Sequence, residues 1–388
     1  MDSVLGLDLI LEVLDRLAVP LHFHQRSCDL SVLVACSTVC KAWSSHAQRL
    51  LFRRVILPSS IYRKPFNRGI AIDPLPSFLA AIDPETERGR WLAESVVSLT
   101  LRLTGRSLTA DSAALATALL RTPNLRHLDV TTVFCNFEAE TVTRLREFGP
   151  RLTSLSIVQD SAPSLGHHTF SMHQLVTLFP SIRLLEITSN FNSTLQPFDP
   201  PPNLSLASAK FNTTLATDIG PCLASLLNPE ADVPLQVLWH RSKTSRPSSL
   251  GNILRVHGPR LRSISFRSVD LAELAEYTAL ERFEFLRFPD AATVASIPRS
   301  IVALAIYGMP ENRQLENGEH PDVVRFAQAL STFPHLKVLS WPTCSEPTMF
   351  SLLQEVCRVR GIELRTSPTE LYDDNAIELE LKRKYIRI

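Results

Sequence analysis

One short pattern returns through most of the chain, and it limits the fold more than any other feature. A Pro or Gly-Pro is followed by an apolar residue, two positions, an apolar residue, one position and a last apolar residue. It reads "PNLRHLDV" (123–130), "GPRLTSLSI" (149–157), "FPSIRLLEI" (179–187), "VPLQVLWH" (233–240), "GPRLRSISF" (258–266), "ALERFEF" (279–285), "PRSIVALAI" (298–306) and "FPHLKVLSW" (333–341). "VVSLTL" (96–101) and "SLASAKF" (205–211) are weaker copies, and "GIELR" (361–365) closes the series. The central apolar position recurs at intervals of roughly 20–35 residues, a period that belongs to stacked repeats. Within a copy the last two apolar residues flank one polar residue, as in a short strand with one buried face.

Amphipathic helical runs precede most copies: 110–122, 138–149, 171–179, 249–258, 321–333 and 346–359. Pro321 and Pro347 suit a first helical turn, and the Gly-Pro or Phe-Pro after a run stops the helix. Helix, stop, strand and loop in succession give parallel strands with helices on the other side. No single unit covers its own apolar face, so neighbours must stack. Over about three quarters of the chain this resembles the leucine-rich-repeat horseshoe, parallel strands inside and helices outside. The regular Asn that staples the inner turn in many such families is absent. The recurring leucines are core. The strand positions between them face solvent on the concave side: His127, Asp129, Ser154, Ser156, Glu186, Lys210, Trp239, Arg267, Arg282 and Glu284. Of these, His127, Asp129, Glu186, Lys210, Trp239, Arg267, Arg282 and Glu284 are the candidate partner-binding set. Exposed Trp and Arg favour such a role. A shift of one residue in "VLWH" would instead turn Trp239 into the core.

The first sixty residues have another periodicity. Leu7, Ile10, Leu11, Leu14 and Leu17 form one stripe of a helix over about 5–18, ended by Pro20. Asp29 is placed to cap a second helix bearing Leu30, Leu33 and Val34. Ser37 or Thr38 is placed to cap a third, with Val39, Cys40, Trp43, Ala47 and Leu50 on one side. Three helices this short make a thin core. The surplus apolar residues Leu5, Leu9, Val32, Leu51 and Phe52 suggest that a partner covers part of it.

"LGLDLILEVLDRL" and "DLSVLVACSTVCKAWSSHAQRLLFRRVIL" together resemble an F-box, in the form typical of fungal proteins with divergent leucine-rich repeats. Leu5, Leu9, Leu14, Val39, Cys40, Lys41, Trp43, Leu51, Phe52, Arg53 and Val55 fall on the family pattern. Gly6 stands where the family usually has Pro, and Asp8 where it usually has Glu; a Gly loosens the entry to the first helix. The resemblance implies that this domain docks a Skp-type adaptor, which bridges to a cullin and its RING subunit, while the repeats hold a protein substrate for ubiquitin transfer. The implied adaptor-binding residues are Leu5, Leu7, Leu9, Ile10, Leu14, Leu30, Leu33, Val39, Cys40, Trp43, Leu51 and Phe52.

Other chemistries find little support. His22, His24, Cys28, Cys36 and Cys40 are acceptable zinc ligands by type, yet no C-x2-C knuckle is present and the cysteines sit among Leu and Val, which suits small buried hydrophobes. With only 12 Gly in the chain, no G-x-G-x-x-G, Walker or G-x-S-x-G pattern appears. No metal, cofactor or catalytic residue is expected. Lys and Arg number 40 against 39 Asp and Glu, so no general pull toward nucleic acid or an anionic membrane follows. Seven scattered cysteines point to a reducing, cytoplasmic or nuclear setting, and the sequons at Asn192, Asn203 and Asn212 read as chance. Residues 4–21 carry Asp8, Glu12, Asp15 and Arg16, as an amphipathic helix does and a signal peptide does not.

The expected organisation is an F-box-like domain over 1–57, a linker and cap over 58–90, divergent repeats over 91–366 and a tail over 367–388. Trp91 is expected to help close the exposed end of the array. The tail ends in the basic "LKRKYIRI" and reads as a solvated terminus, or as a short nuclear or anionic-partner signal. The expected function is substrate recognition in a Skp-cullin-F-box ubiquitin ligase. The alternative is a leucine-rich-repeat scaffold without a ligase role.

Overall fold

The computed structural model describes residues 28–57, 74–103, 108–132, 136–159, 168–189, 198–199, 201–213, 220–227, 231–242, 251–266, 274, 276–285, 288–308, 321–341, 347–366 and 376–386. The chain divides into two compact units. One comprises the residues up to Ile182 together with Lys382–Ile388, the other Arg183–Leu381.

The first unit opens with α1 (Cys28–Cys36) and α2 (Lys41–Arg53), which runs directly into β1 (Arg54–Leu57). Then come α3 (Pro74–Ala81), α4 (Glu87–Ser95), β2 (Ser98–Arg102), α5 (Leu108–Arg121), β3 (His127–Thr132), α6 (Ala139–Phe148), β4 (Ser154–Gln159) and α7 (His168–Leu178). The strands pair in parallel and in sequence order, with Val55 opposite Leu99, Leu99 opposite Leu128 and Leu128 opposite Leu155. The sheet therefore begins inside the segment expected to belong wholly to the first domain.

The second unit contains β5 (Leu184–Ser189), β6 (Ser208–Thr213), α8 (Gly220–Leu226), β7 (Val237–Ser242), α9 (Gly251–His257), β8 (Ser263–Phe266), β9 (Arg282–Phe285), α10 (Ala291–Ser296), β10 (Ala303–Ile306), α11 (Pro321–Ala329), β11 (Val338–Ser340), α12 (Pro347–Arg360) and β12 (Glu363–Arg365). Its strands are likewise parallel and in sequence order. Both units thus have the α/β solenoid pattern, and every pattern copy in the sequence supplies a strand. Pro321 and Pro347 start their helices.

The alternation within each copy accounts for the core. Leu99, Leu128 and Leu155 form one fully buried row in the first unit, and Leu185, Ala209, Leu238, Ile264, Phe283, Leu304 and Leu339 form the matching row in the second. Helix residues such as Leu115, Leu119, Met172 and Leu175, or Leu223, Phe326 and Leu353, are buried too. Each leucine-sized side chain so buried contributes about 1.5–3 kcal/mol before ordering costs. Close approach fixes two glycines. A Cβ on Gly149, where α6 ends, would lie 2.2 Å from the Leu145 carbonyl oxygen, and one on Gly258 would lie 2.1 Å from the Tyr277 ring.

What replaces the missing Asn staple is backbone. At strand entry one carbonyl accepts two N–H groups of the next repeat: Arg126 from Thr153 and Ser154, Gln236 from Arg262 and Ser263, Glu281 from Val302 and Ala303. The residue just before the first apolar position of a copy adds a side-chain bond. Asn124 donates to the Glu94 carbonyl, Ser181 to Leu152 and Ser300 to Leu280, at 2.8, 2.8 and 2.6 Å. Both devices satisfy backbone groups that would otherwise be buried without partners.

The last described element corrects the expectation of a solvated tail. Residues Ala376–Ile386 form a helix, α13, with Ile377, Leu381 and Ile386 buried. Three apolar side chains at helical spacing need cover, and an eleven-residue helix is too short to persist alone in water.

Candidate protein-interaction surfaces

The N-terminal surface is built by α1 and α2. Leu33, Ala47 and Leu50 are buried; α1 packs on α2, and α2 on α4. The turn between them is held by Ser37 and Thr38, whose hydroxyls donate back to the Val34 and Ala35 carbonyls at 2.7 Å. These hydroxyls therefore do not cap α2. The capping position is Cys40, with extended backbone and no side-chain bond to the helix.

Cys40 thus precedes the helix and is no buried hydrophobe; it is exposed, and Cys36 is half-buried. Val32, Val34 and Val39 are exposed, Val39 to 59%. Trp43, Leu51 and Phe52 are half-buried. Leu30 falls on α1, while Leu5, Leu7, Leu9, Ile10 and Leu14, with Gly6, lie outside the described residues. Beside this pair the Arg49 guanidinium stacks 5.4 Å from the Trp91 ring, and Arg88 reaches Gln48 at 3.2 Å. Trp91 thus lies against α2 and is half-buried.

The second surface is the polar strand face. In the first unit His127 and Asp129 lie on it, both half-buried, with Ser154 and Ser156 opposite them on β4. His127 Nδ1 and Ser154 Oγ are 2.8 Å apart. Burial first, then the charges of Lys382 and Arg54, push His127 down to about 3. It is a neutral imidazole at physiological pH. The carbonyl of Tyr385, in the last turn of α13, accepts from the Thr153 hydroxyl at 2.7 Å, which satisfies one of the carbonyls a helix end leaves open.

In the second unit the same row runs Glu186, Lys210, Trp239, Ser265, Glu284 in register. Trp239 is in the expected register, with Leu238 and not Trp239 in the core row. The expectation that these positions face solvent fails for Lys210, Trp239 and Glu284 in this row and for Arg282 two residues before Glu284, all of them buried. Glu186, by contrast, is half-buried. Arg267 lies outside the described residues.

The burial has two local causes. Glu284 is 2% exposed and serves both neighbours. Its Oε1 accepts from Arg282 Nε at 3.0 Å and Nη2 at 2.7 Å, and its Oε2 accepts from Trp239 Nε1 at 3.3 Å. The indole spans the β8 strand because small Ser265 stands between Trp239 and Glu284. Lys210, 5% exposed, forms an ion pair with Glu378 of α13. Two residues on, Glu380 pairs with Arg262 Nη1 at 2.9 Å, and Arg262 Nε also holds Glu281 at 2.6 Å. These bonds raise the Arg262 pKa further.

Sequence reasoning missed Arg262, Glu378 and Glu380. The available signal was the spacing of Ile377 and Leu381, four apart with acids between. Among the described residues no group of three or more His, Cys, Asp or Glu is placed to hold a metal ion, and no helix is long and apolar enough to cross a membrane.

Comparison with known protein families and with curated proteins finds no match. Among solved structures, a chain of the crystal structure of the Rad7 and Elc1 complex in yeast is similar over 81% of this chain and 91% of its own length. Identity is 12% and the TM-score 0.34, too distant to transfer a partner or an activity.

Proposed function

We propose that the chain is the substrate-recognition subunit of a Skp-cullin-F-box ubiquitin ligase. In this reading the N-terminal helices dock a Skp-type adaptor and the repeats hold a protein substrate. The observation that carries it is the pairing of the Val-Cys-Lys-x-Trp and Leu-Phe-Arg-Arg-Val segments with an α1–α2 pair that leaves Val32, Val34 and Val39 exposed. Three exposed valines on so small an element favour a covering partner. Trp43, Leu51 and Phe52 on α2 are half-buried. The protein does no covalent chemistry in this scheme; it raises the effective concentration of substrate near the ubiquitin-loaded enzyme.

Co-purification with a Skp-type adaptor tests the reading. The wild-type chain retains the adaptor through gel filtration. Val39→Asp, at an exposed position, abolishes retention while the melting temperature stays within error. A wild-type chain that captures no adaptor leaves a leucine-rich-repeat scaffold as the remaining account.

A further inference from the structure

We propose that the groove between α2 and α4 of the first unit docks an acidic segment of a partner protein, one that brings two carboxylates and an apolar side chain. The proposal does not depend on adaptor docking, since Val32, Val34 and Val39 do not line this groove.

The groove has a volume of about 530 Å3 and is open to solvent. His46, Gln48 and Arg49 of α2 stand on one wall, and Glu87, Arg88 and Trp91 of α4 on the other. Arg88 and Trp91 are three apart and so share a helix face. Two contacts tie the walls together. The Arg49 guanidinium stacks 5.4 Å from the Trp91 ring, and Arg88 donates to Gln48 Oε1 at 3.2 Å. Gln48 is itself oriented, its Nε2 donating to Ser44 Oγ at 3.1 Å.

The chemistry of these contacts selects the ligand. Both arginines are exposed, yet each is held by a neutral group, an indole in one case and an amide oxygen in the other. Among the described residues neither meets a carboxylate. Glu87 lines the same groove without pairing with either. It sits in the first turn of α4, where an acid suits the positive end of a helix. A guanidinium stacked on a ring keeps its N–H edge free for an anion, and part of the cost of ordering it is already met. Each arginine fork matches one carboxylate in bidentate fashion. Two forks on facing helices therefore take two carboxylates, and half-buried Trp91 offers apolar surface beside them. That is the pattern of acidic-motif capture by arginine clusters. A lone small anion would leave most of the groove to water.

The test uses the full chain and a fluorescent heptapeptide, Glu-Asp-Glu-Leu-Glu-Asp-Glu. Fluorescence anisotropy at low salt shows binding to the wild-type chain. Arg49→Glu with Arg88→Glu weakens it at least ten-fold. The charge-matched Arg144→Glu with Arg146→Glu, at exposed positions on α6, changes it less than two-fold. No binding by the wild-type chain overturns the proposal. An equal loss in both variants also overturns it, because that outcome reports net charge alone. Displacement of the peptide by an equimolar amount of inorganic phosphate overturns it as well and assigns a phosphate site instead. Should the groove variant lose its fold, a peptide with benzoylphenylalanine in place of its Leu decides on the wild-type chain. Crosslinks within 45–52 or 84–91 support the proposal, and crosslinks confined to other segments overturn it. Peptide failure with the Skp-type adaptor still retained removes this proposal alone.

Discussion

Glu284→Ala is the sharpest perturbation of the strand face. The carboxylate is 2% exposed and holds three donors, two N–H groups of Arg282 on one oxygen and the Trp239 indole on the other. Its removal takes the carboxylate from a buried guanidinium. Breaking a buried pair by deleting one partner costs about 3–5 kcal/mol, and Arg282 keeps other contacts, so a loss of about 3 kcal/mol, the lower end of that range, is expected. Because repeats are coupled mainly to their neighbours, the loss belongs to the transition of the second unit. Urea unfolding followed by circular dichroism and tryptophan fluorescence reads it. Arg282→Leu with Glu284→Leu removes both charges and should return to within about 1 kcal/mol of wild type, since a buried pair is often no better than apolar side chains of similar volume. A Glu284→Ala loss under about 1 kcal/mol, or a double variant as unstable as the single, refutes the assignment of this cluster as a mutually compensated pair.

Two further outcomes follow from buried titratable groups. In the folded chain His127 stays neutral down to about 3, whereas the unfolded chain protonates it near 6.5. Below 6.5 the unfolded state binds more protons, so stability falls as pH falls, by about 1.4 kcal/mol per pH unit from this group until pH approaches its folded value. Urea midpoints at pH 7 and pH 5 should therefore converge in His127→Gln relative to wild type; identical pH dependence in both sinks the assignment. Burial pushes the thiols of Cys222 and Cys357 up to about 12 and about 11, while Cys40 is exposed. N-ethylmaleimide at neutral pH with peptide mass mapping should modify Cys40 about 100-fold faster than Cys222, because the thiolate is the nucleophile; comparable rates would contradict the burial.

The strands were legible because a core strand needs little more than two apolar residues flanking one polar one, and a Pro beforehand to end the helix. "FPSIRLLEI" and "GPRLRSISF" meet that requirement within a single short copy. The helix caps were less legible. Ser37 and Thr38 are good capping types, but their hydroxyls bond backward to α1, and the chain enters α2 through Cys40. Capping residues and turn residues are the same chemical types, so local sequence does not say which way the hydroxyl turns. Trp239 was legible in register but not in exposure. Its register comes from Leu238 one position earlier. Its burial comes in part from Glu284, two strands away, with Ser265 small enough to let the indole across.

The C-terminal helix shows why polarity alone misjudges such a surface. "AIELELKRKYI" alternates apolar and acidic residues over its first half and is basic over its second, so neither strand nor helix period dominates the reading, and its charges suggest water. In the fold those charges meet opposite ones. The acidic first turns meet Lys210 and Arg262, and Lys382 lies near enough to His127 to hold its pKa down. On a repeat array the useful division of polar strand residues is therefore by the source of their counter-charge. Arg282 and Glu284 neutralise each other inside the sheet. Lys210 draws a carboxylate from a helix outside the strands, and Arg262 draws on both sources, Glu281 at the entry to β9 and Glu380 of α13. Polarity in the sequence places these residues away from the leucine core, but the source of each counter-charge decides that they are buried.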